Sequence, residues 1–194
     1  MSLLTPDTAA DFVLIDLVKE VRKNAKAGEA RFTAVYQSAT TEPRNGLSFY
    51  SPVAGRVVFD CKKYKEKDDH VGLVLEFSDT APFSTELYRR ETELIERLGE
   101  EVRTVYRRTS PGLGYIQLRL KLYDESIILD VRGGQVRPGR FLDLKAKESV
   151  KVAVAVEGID VFLIDGELSH CPRIRALQVQ IVDAPPVLPT SRMF

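Results

Sequence analysis

Apolar and polar residues alternate with a period of two over much of this chain, which predicts strands far more often than helices. Residues 31–36 (Arg-Phe-Thr-Ala-Val-Tyr) open the pattern, and a turn-rich stretch runs from Ser38 to Gly46. Residues 47–50 and 55–61 read as two β segments broken at Ser51-Pro52, where proline cannot donate to a ladder. Residues 62–70 form a charged connector, and residues 71–77 a compact apolar strand. Further strands are expected over 115–123, 126–132, 141–144, 148–157, 158–164 and 174–182. The cleanest alternation is 115–123. There Tyr115, Gln117, Arg119, Lys121 and Tyr123 fall on one side, and Ile116, Leu118, Leu120 and Leu122 on the other.

Two stretches carry a helical period instead. Over residues 8–25, Phe12, Ile15, Val18 and Val21 recur at helical spacing, Asp7 or Thr8 can cap the start, and Gly28 follows the end. A second helix is expected over 84–108, with Ser84 as N-cap and Leu87, Leu94, Ile95, Leu98 and Val102 on one side. Its Glu and Arg residues balance as a solvated face, but its last turns hold only Arg103, Arg107 and Arg108. Cations at a helix C-terminus suit the dipole, so ligand binding is not needed to explain these three.

Helix, strands, helix, then more short strands give a mainly β (α+β) chain. The expected form is an open β-barrel of the oligonucleotide/oligosaccharide-binding (OB) type with an N-terminal and a mid-chain helix. The expected divisions are a helical extension over 1–30, a barrel domain over 31–183 and a proline-rich flexible tail over 184–194.

Composition adds limits. With 28 basic and 28 acidic residues the chain is neutral, so affinity for a polyanion would have to come from uneven placement of charge. Residues 56–67 hold five basic against two acidic residues, and 112–147 seven against four. Between Arg103 and Tyr123 there is no Asp or Glu at all. Two cysteines, no apolar run of membrane length and no signal-peptide pattern point to a soluble intracellular protein.

Motifs for catalysis are missing. Cys61, His70, His170 and Cys171 match no common zinc spacing, and the adjacent His170 and Cys171 would face opposite ways on a strand. No Gly-x-Ser-x-Gly occurs, and neither Gly112-Leu113-Gly114 nor Gly133-Gly134 continues into a phosphate loop. The expectation is a protein that is not an enzyme and needs no cofactor or metal.

Cations interleaved with aromatic rings suit a polyanion with flat faces, which describes single-stranded nucleic acid. Candidates for stacking are Phe49, Tyr50, Tyr64, Tyr106, Tyr115 and Tyr123. Candidates for phosphate contact are Arg56, Lys62, Lys63, Lys65, Arg107, Arg108, Arg119, Lys121, Arg132, Arg137 and Arg140. Several stretches together resemble single-stranded-DNA-binding proteins of large DNA viruses and phages. They are Pro82-Phe83-Ser84 entering an amphipathic helix, the 115–123 strand, Gly139-Arg140-Phe141, residues 150–156, Gly158 to Phe162 and the closing 175–181 strand. The resemblance implies a cofactor-free partner of single-stranded DNA that protects exposed strands in replication and self-associates or recruits replication proteins. The chain's tail departs from the bacterial pattern, since it has no acidic run and Arg192 lies near its end. The rival expectation is a viral structural or protein-interaction module that assembles through its β surface.

Overall fold

The computed structural model describes residues 3–63, 70–99, 103–104 and 114–185. In chain order the elements are α1 (Pro6–Ala10), β1 (Val13–Glu20), β2 (Ala30–Gln37), β3 (Arg44–Asn45), β4 (Leu47–Tyr50), β5 (Gly55–Val57) and β6 (His70–Ser78). They continue with α2 (Pro82–Leu98), β7 (Arg103–Thr104), β8 (Tyr115–Asp130), β9 (Arg137–Pro138), β10 (Ser149–Ile164) and β11 (Glu167–Ile181). Single 3-10 turns lie at Arg132–Gly134 and Phe141–Asp143.

Five strands close on one another. β10 pairs with β5, β5 with β6, and β6 with β8, all antiparallel; β8 runs parallel to β11, and β11 returns to β10. The result is a closed five-stranded barrel with two helices, consistent with an OB-like α+β fold. Period-two patterning fills its inside. Val71, Leu73, Leu75 and Phe77 of β6 face Ile116, Leu118, Leu120 and Leu122 of β8, with Val150, Val152, Val154 and Val156 of β10 completing the core. Burying each such side chain contributes about 1.5–3 kcal/mol. Phe83, at the start of α2, reaches that core, its ring 5.5 Å from Phe49 and 5.0 Å from Phe77.

The β10–β11 hairpin is longer than the barrel. Its outer half pairs with β2 over Gly158 to Val161, and β2 carries β1 on its other edge. At Gly158 the strands come so close that a Cβ would lie 1.9 Å from the Phe32 carbonyl oxygen, and φ is +154°. Only glycine fits there.

Several expectations change. The first helix ends at Ala10, and residues 13–20 form β1, antiparallel to β2 with a bulge at Ile15. The helical spacing of Phe12, Ile15, Val18 and Val21 does not mark a buried stripe, since Val18 is 46% and Val21 99% exposed. A free edge on β2 offered a ladder that outweighed local propensity. The second helix stops at Leu98, where Gly99 (φ +68°) ends it, instead of running to residue 108. Arg103 lies in β7, so helix-dipole pairing does not account for it. Ala81 is the N-cap; the buried Ser84 hydroxyl donates to the Ser78 and Ala81 carbonyls. Residues 115–132 and 148–164, each expected as two strands, hold one strand apiece, Tyr115–Asp130 and Ser149–Ile164, and 141–144 is mostly a 3-10 turn. No described helix is long and apolar enough to cross a membrane.

Candidate nucleic-acid interface

The outward side of β8 and its neighbours in the ladder form one surface. Ser78 lies opposite Tyr115, Glu76 opposite Gln117, Val74 opposite Arg119, Gly72 opposite Lys121 and His70 opposite Tyr123. Alternation buries Ile116, Leu118, Leu120 and Leu122 and leaves Arg119 exposed, with Tyr115, Gln117, Lys121 and Tyr123 half-buried. Gly72 leaves a flat spot beside Lys121, with no atom within 4 Å of where its Cβ would be. The His70 and Tyr123 rings lie 5.5 Å apart at 43°.

Around this strip the charges are organised. Arg56 bonds to Glu76, which also accepts from the Gln117 amide at 3.0 Å, so Arg56 is held in a partly buried pair. Lys63 lies 3.8 Å from Asp124, which puts the start of the basic connector beside the Tyr123 end of β8, and Lys62 is exposed. Tyr64 and Lys65 of that connector lie outside the described residues, as do Tyr106, Arg107 and Arg108.

On the other side β11 brings cations that the candidate set above lacks. Arg175 lies in register with Lys121. Arg173 and Arg31 grip Asp160 at 3.0 and 2.9 Å, and Arg175 meets Glu157 at 3.0 Å. Burial alone would raise the Asp160 carboxyl, but its bond to Arg31 and the charge of Arg173 outweigh burial and hold it below the usual range. The same bond raises the Arg31 guanidinium. Arg31, Arg173, Glu157 and Tyr123 line a polar cleft of about 360 Å³. The alternating arginines at 173 and 175 were the available sequence signal, but β11 could not be assigned to this side without its partner strands.

The remaining candidates sit elsewhere. Phe49, expected to stack bases, is fully buried in the core. Tyr50 is 38% exposed on the outside of β4. Arg132 is held by Asp130 at 2.7 Å and Glu148 at 3.2 Å, at the far end of β8. Its bonds pull the Asp130 carboxyl down to about 2. Arg137 donates to Gln135, and Arg140 is 3.7 Å from Asp143 beside a turn. Arg132 and Arg137 do not join the Tyr115 to Tyr123 strip, whereas Arg140 and Tyr123 line one groove of about 250 Å³. Among the described residues no three His, Cys, Asp or Glu side chains are grouped to hold a metal ion. Comparison with protein-family models gives no match, and no curated protein compared with the chain matches it either.

Proposed function

We propose that this chain binds single-stranded DNA with little sequence preference and performs no chemistry on it. One observation carries the reading: the outer side of β8, the third strand of an OB-like barrel and paired with the second, β6, presents Tyr115, Arg119, Lys121 and Tyr123. In such barrels that face, with the loop joining the first two strands, is a common seat for oligonucleotides. Here that loop is the basic connector starting at Lys62 and Lys63. Rings would stack on bases of any sequence, and the cations would follow phosphates. Partners among replication proteins belong to the same reading.

Titration of a fluorescent oligonucleotide at several salt concentrations tests it. Affinity should fall steeply with salt, and Arg119→Ala with Lys121→Ala should shallow the log–log slope by about 1.4, at roughly 0.7 per lost phosphate contact. Absence of binding at low salt would sink the idea. Val13 and Val18, 54% and 46% exposed on the edge strand β1, favour self-assembly as the second reading. Concentration-dependent oligomers indifferent to oligonucleotide would select it.

A further inference from the structure

A second groove lies on another side of the barrel. It has a volume of about 410 Å³ and is lined by Leu3, Tyr50, Lys151, Ala153 and two glutamines, Gln178 and Gln180. Its construction follows from register. Ala153 of β10 lies between Tyr50 of β4 and Gln178 of β11, and Lys151 is paired with Gln180. The small Ala153 makes a floor, and the taller neighbours make walls. Leu3 is brought in because Leu4 pairs with β4, donating its N–H to Ser48 and accepting from Tyr50, both at 3.1 Å.

The lining contains no carboxylate. Among the described residues the Lys151 ammonium and the two glutamine amides have no hydrogen-bond or ion-pair partner. The groove therefore offers one half-exposed ring, two amides able to donate and accept, and one unneutralised cation. That set matches a nucleotide: a flat base, its polar edge and its phosphate. A simple carboxylate would use the cation and the amide N–H groups but leave the ring and the amide acceptors idle.

The groove also connects with the β8 strip. Ala155, the next small floor residue, lies between Ser48 and Arg175, and Arg175 is in register with Lys121. A smaller groove of about 250 Å³, lined by Ser48, Ala155, Glu157 and Arg175 among others, covers the Ala155 to Arg175 part of this stretch. We infer that the Tyr50–Lys151–Gln178–Gln180 groove is a second base-binding subsite, where a strand crossing Lys121 and Arg175 continues over the alanine floor and stacks a base on Tyr50. This rests on the single-strand reading above but uses different residues.

Two measurements test it: oligonucleotide affinity, and photocrosslinking with 5-iododeoxyuridine-substituted strands. Tyr50→Leu, with folding checked by circular dichroism, should weaken binding roughly ten-fold, while Tyr50→Phe should bind as the wild type does. Lys151→Ala should lower both affinity and salt slope, and a crosslink should map to Tyr50. If Arg119→Ala with Lys121→Ala weakens binding while Tyr50→Leu and Lys151→Ala do not, the subsite is overturned and the β8 reading stands. The reverse pattern overturns the β8 reading and, with it, the groove as a second subsite on a strand that crosses Lys121. A wild-type protein that binds no strand at low salt overturns both.

Discussion

Gly158 shows how much one residue can decide. It is the point where the long hairpin leaves the barrel and meets β2, and a methyl group there would overlap the Phe32 carbonyl at 1.9 Å. The backbone cannot yield without separating β2 from β10. Gly158→Ala should therefore destabilise beyond the range of about 0.5–3 kcal/mol typical of point substitutions, read as a urea midpoint or as loss of soluble protein. Gly72→Ala is the control: its Cβ would meet nothing within 4 Å, and the midpoint should move by no more than about 0.5 kcal/mol. Residues of the β8 strip differ from these. They are replaceable for folding because their side chains lie outside the core, so their effects should appear in binding.

Among the elements, α2 is the one that ties the two halves of the molecule together. Its Arg90 is fully buried and bonds Glu86 at 2.6 Å, Glu93 at 2.9 Å, and the Ala9 and Phe12 carbonyls at 2.7 Å each. One side chain thus joins the helix to the turn between α1 and β1. Glu93 also accepts from the Leu14 N–H, and Arg97 donates to the Ile15 carbonyl, which covers part of the β1 edge. Arg90→Ala takes from Glu86 its buried partner, leaving it only Arg89, and takes a donor from the Phe12 carbonyl, while the Ala9 carbonyl keeps the Phe12 N–H. It should cost about 3–5 kcal/mol in denaturant unfolding. Hydrogen exchange should rise first in β1, since that edge loses its anchor.

Across the whole molecule, buried and bridged carboxylates set the response to acid. Asp160 and Asp130 both titrate below their ordinary value of 3.8 in the folded state, Asp130 at about 2. A depressed folded value means that the contribution is complete above the unfolded value and disappears as pH falls through the folded one. Stability should therefore hold at neutral pH and drop from about pH 4 towards pH 2. Asp160→Asn should flatten that acid limb in urea midpoints measured across pH, because the Arg31–Asp160–Arg173 cluster links β2, β10 and β11. An unchanged acid limb would show that the cluster adds no net stability.

The sequence by itself determined which side of β8 is buried over 115–123. The alternation at 115–123 reads directly, because a strand's two faces follow from a period of two whatever its neighbours are. It also determined that α2 is amphipathic, but not where that helix ends or that β8 and β10 run unbroken. Pairing was another matter. Residues 13–20 satisfy a helical period as well as a strand, and only the open edge of β2 chose between them. Phe49 and Tyr50 are adjacent aromatic residues with no local signal to tell core from surface; closure of the barrel buried one and left the other beside a groove. Likewise Lys151, Gln178 and Gln180 are far from Tyr50 in the chain and meet through register alone. Local chemistry fixes a residue's face, but long-range hydrogen bonding decides which faces share a surface, and any binding site here is made of such shared faces.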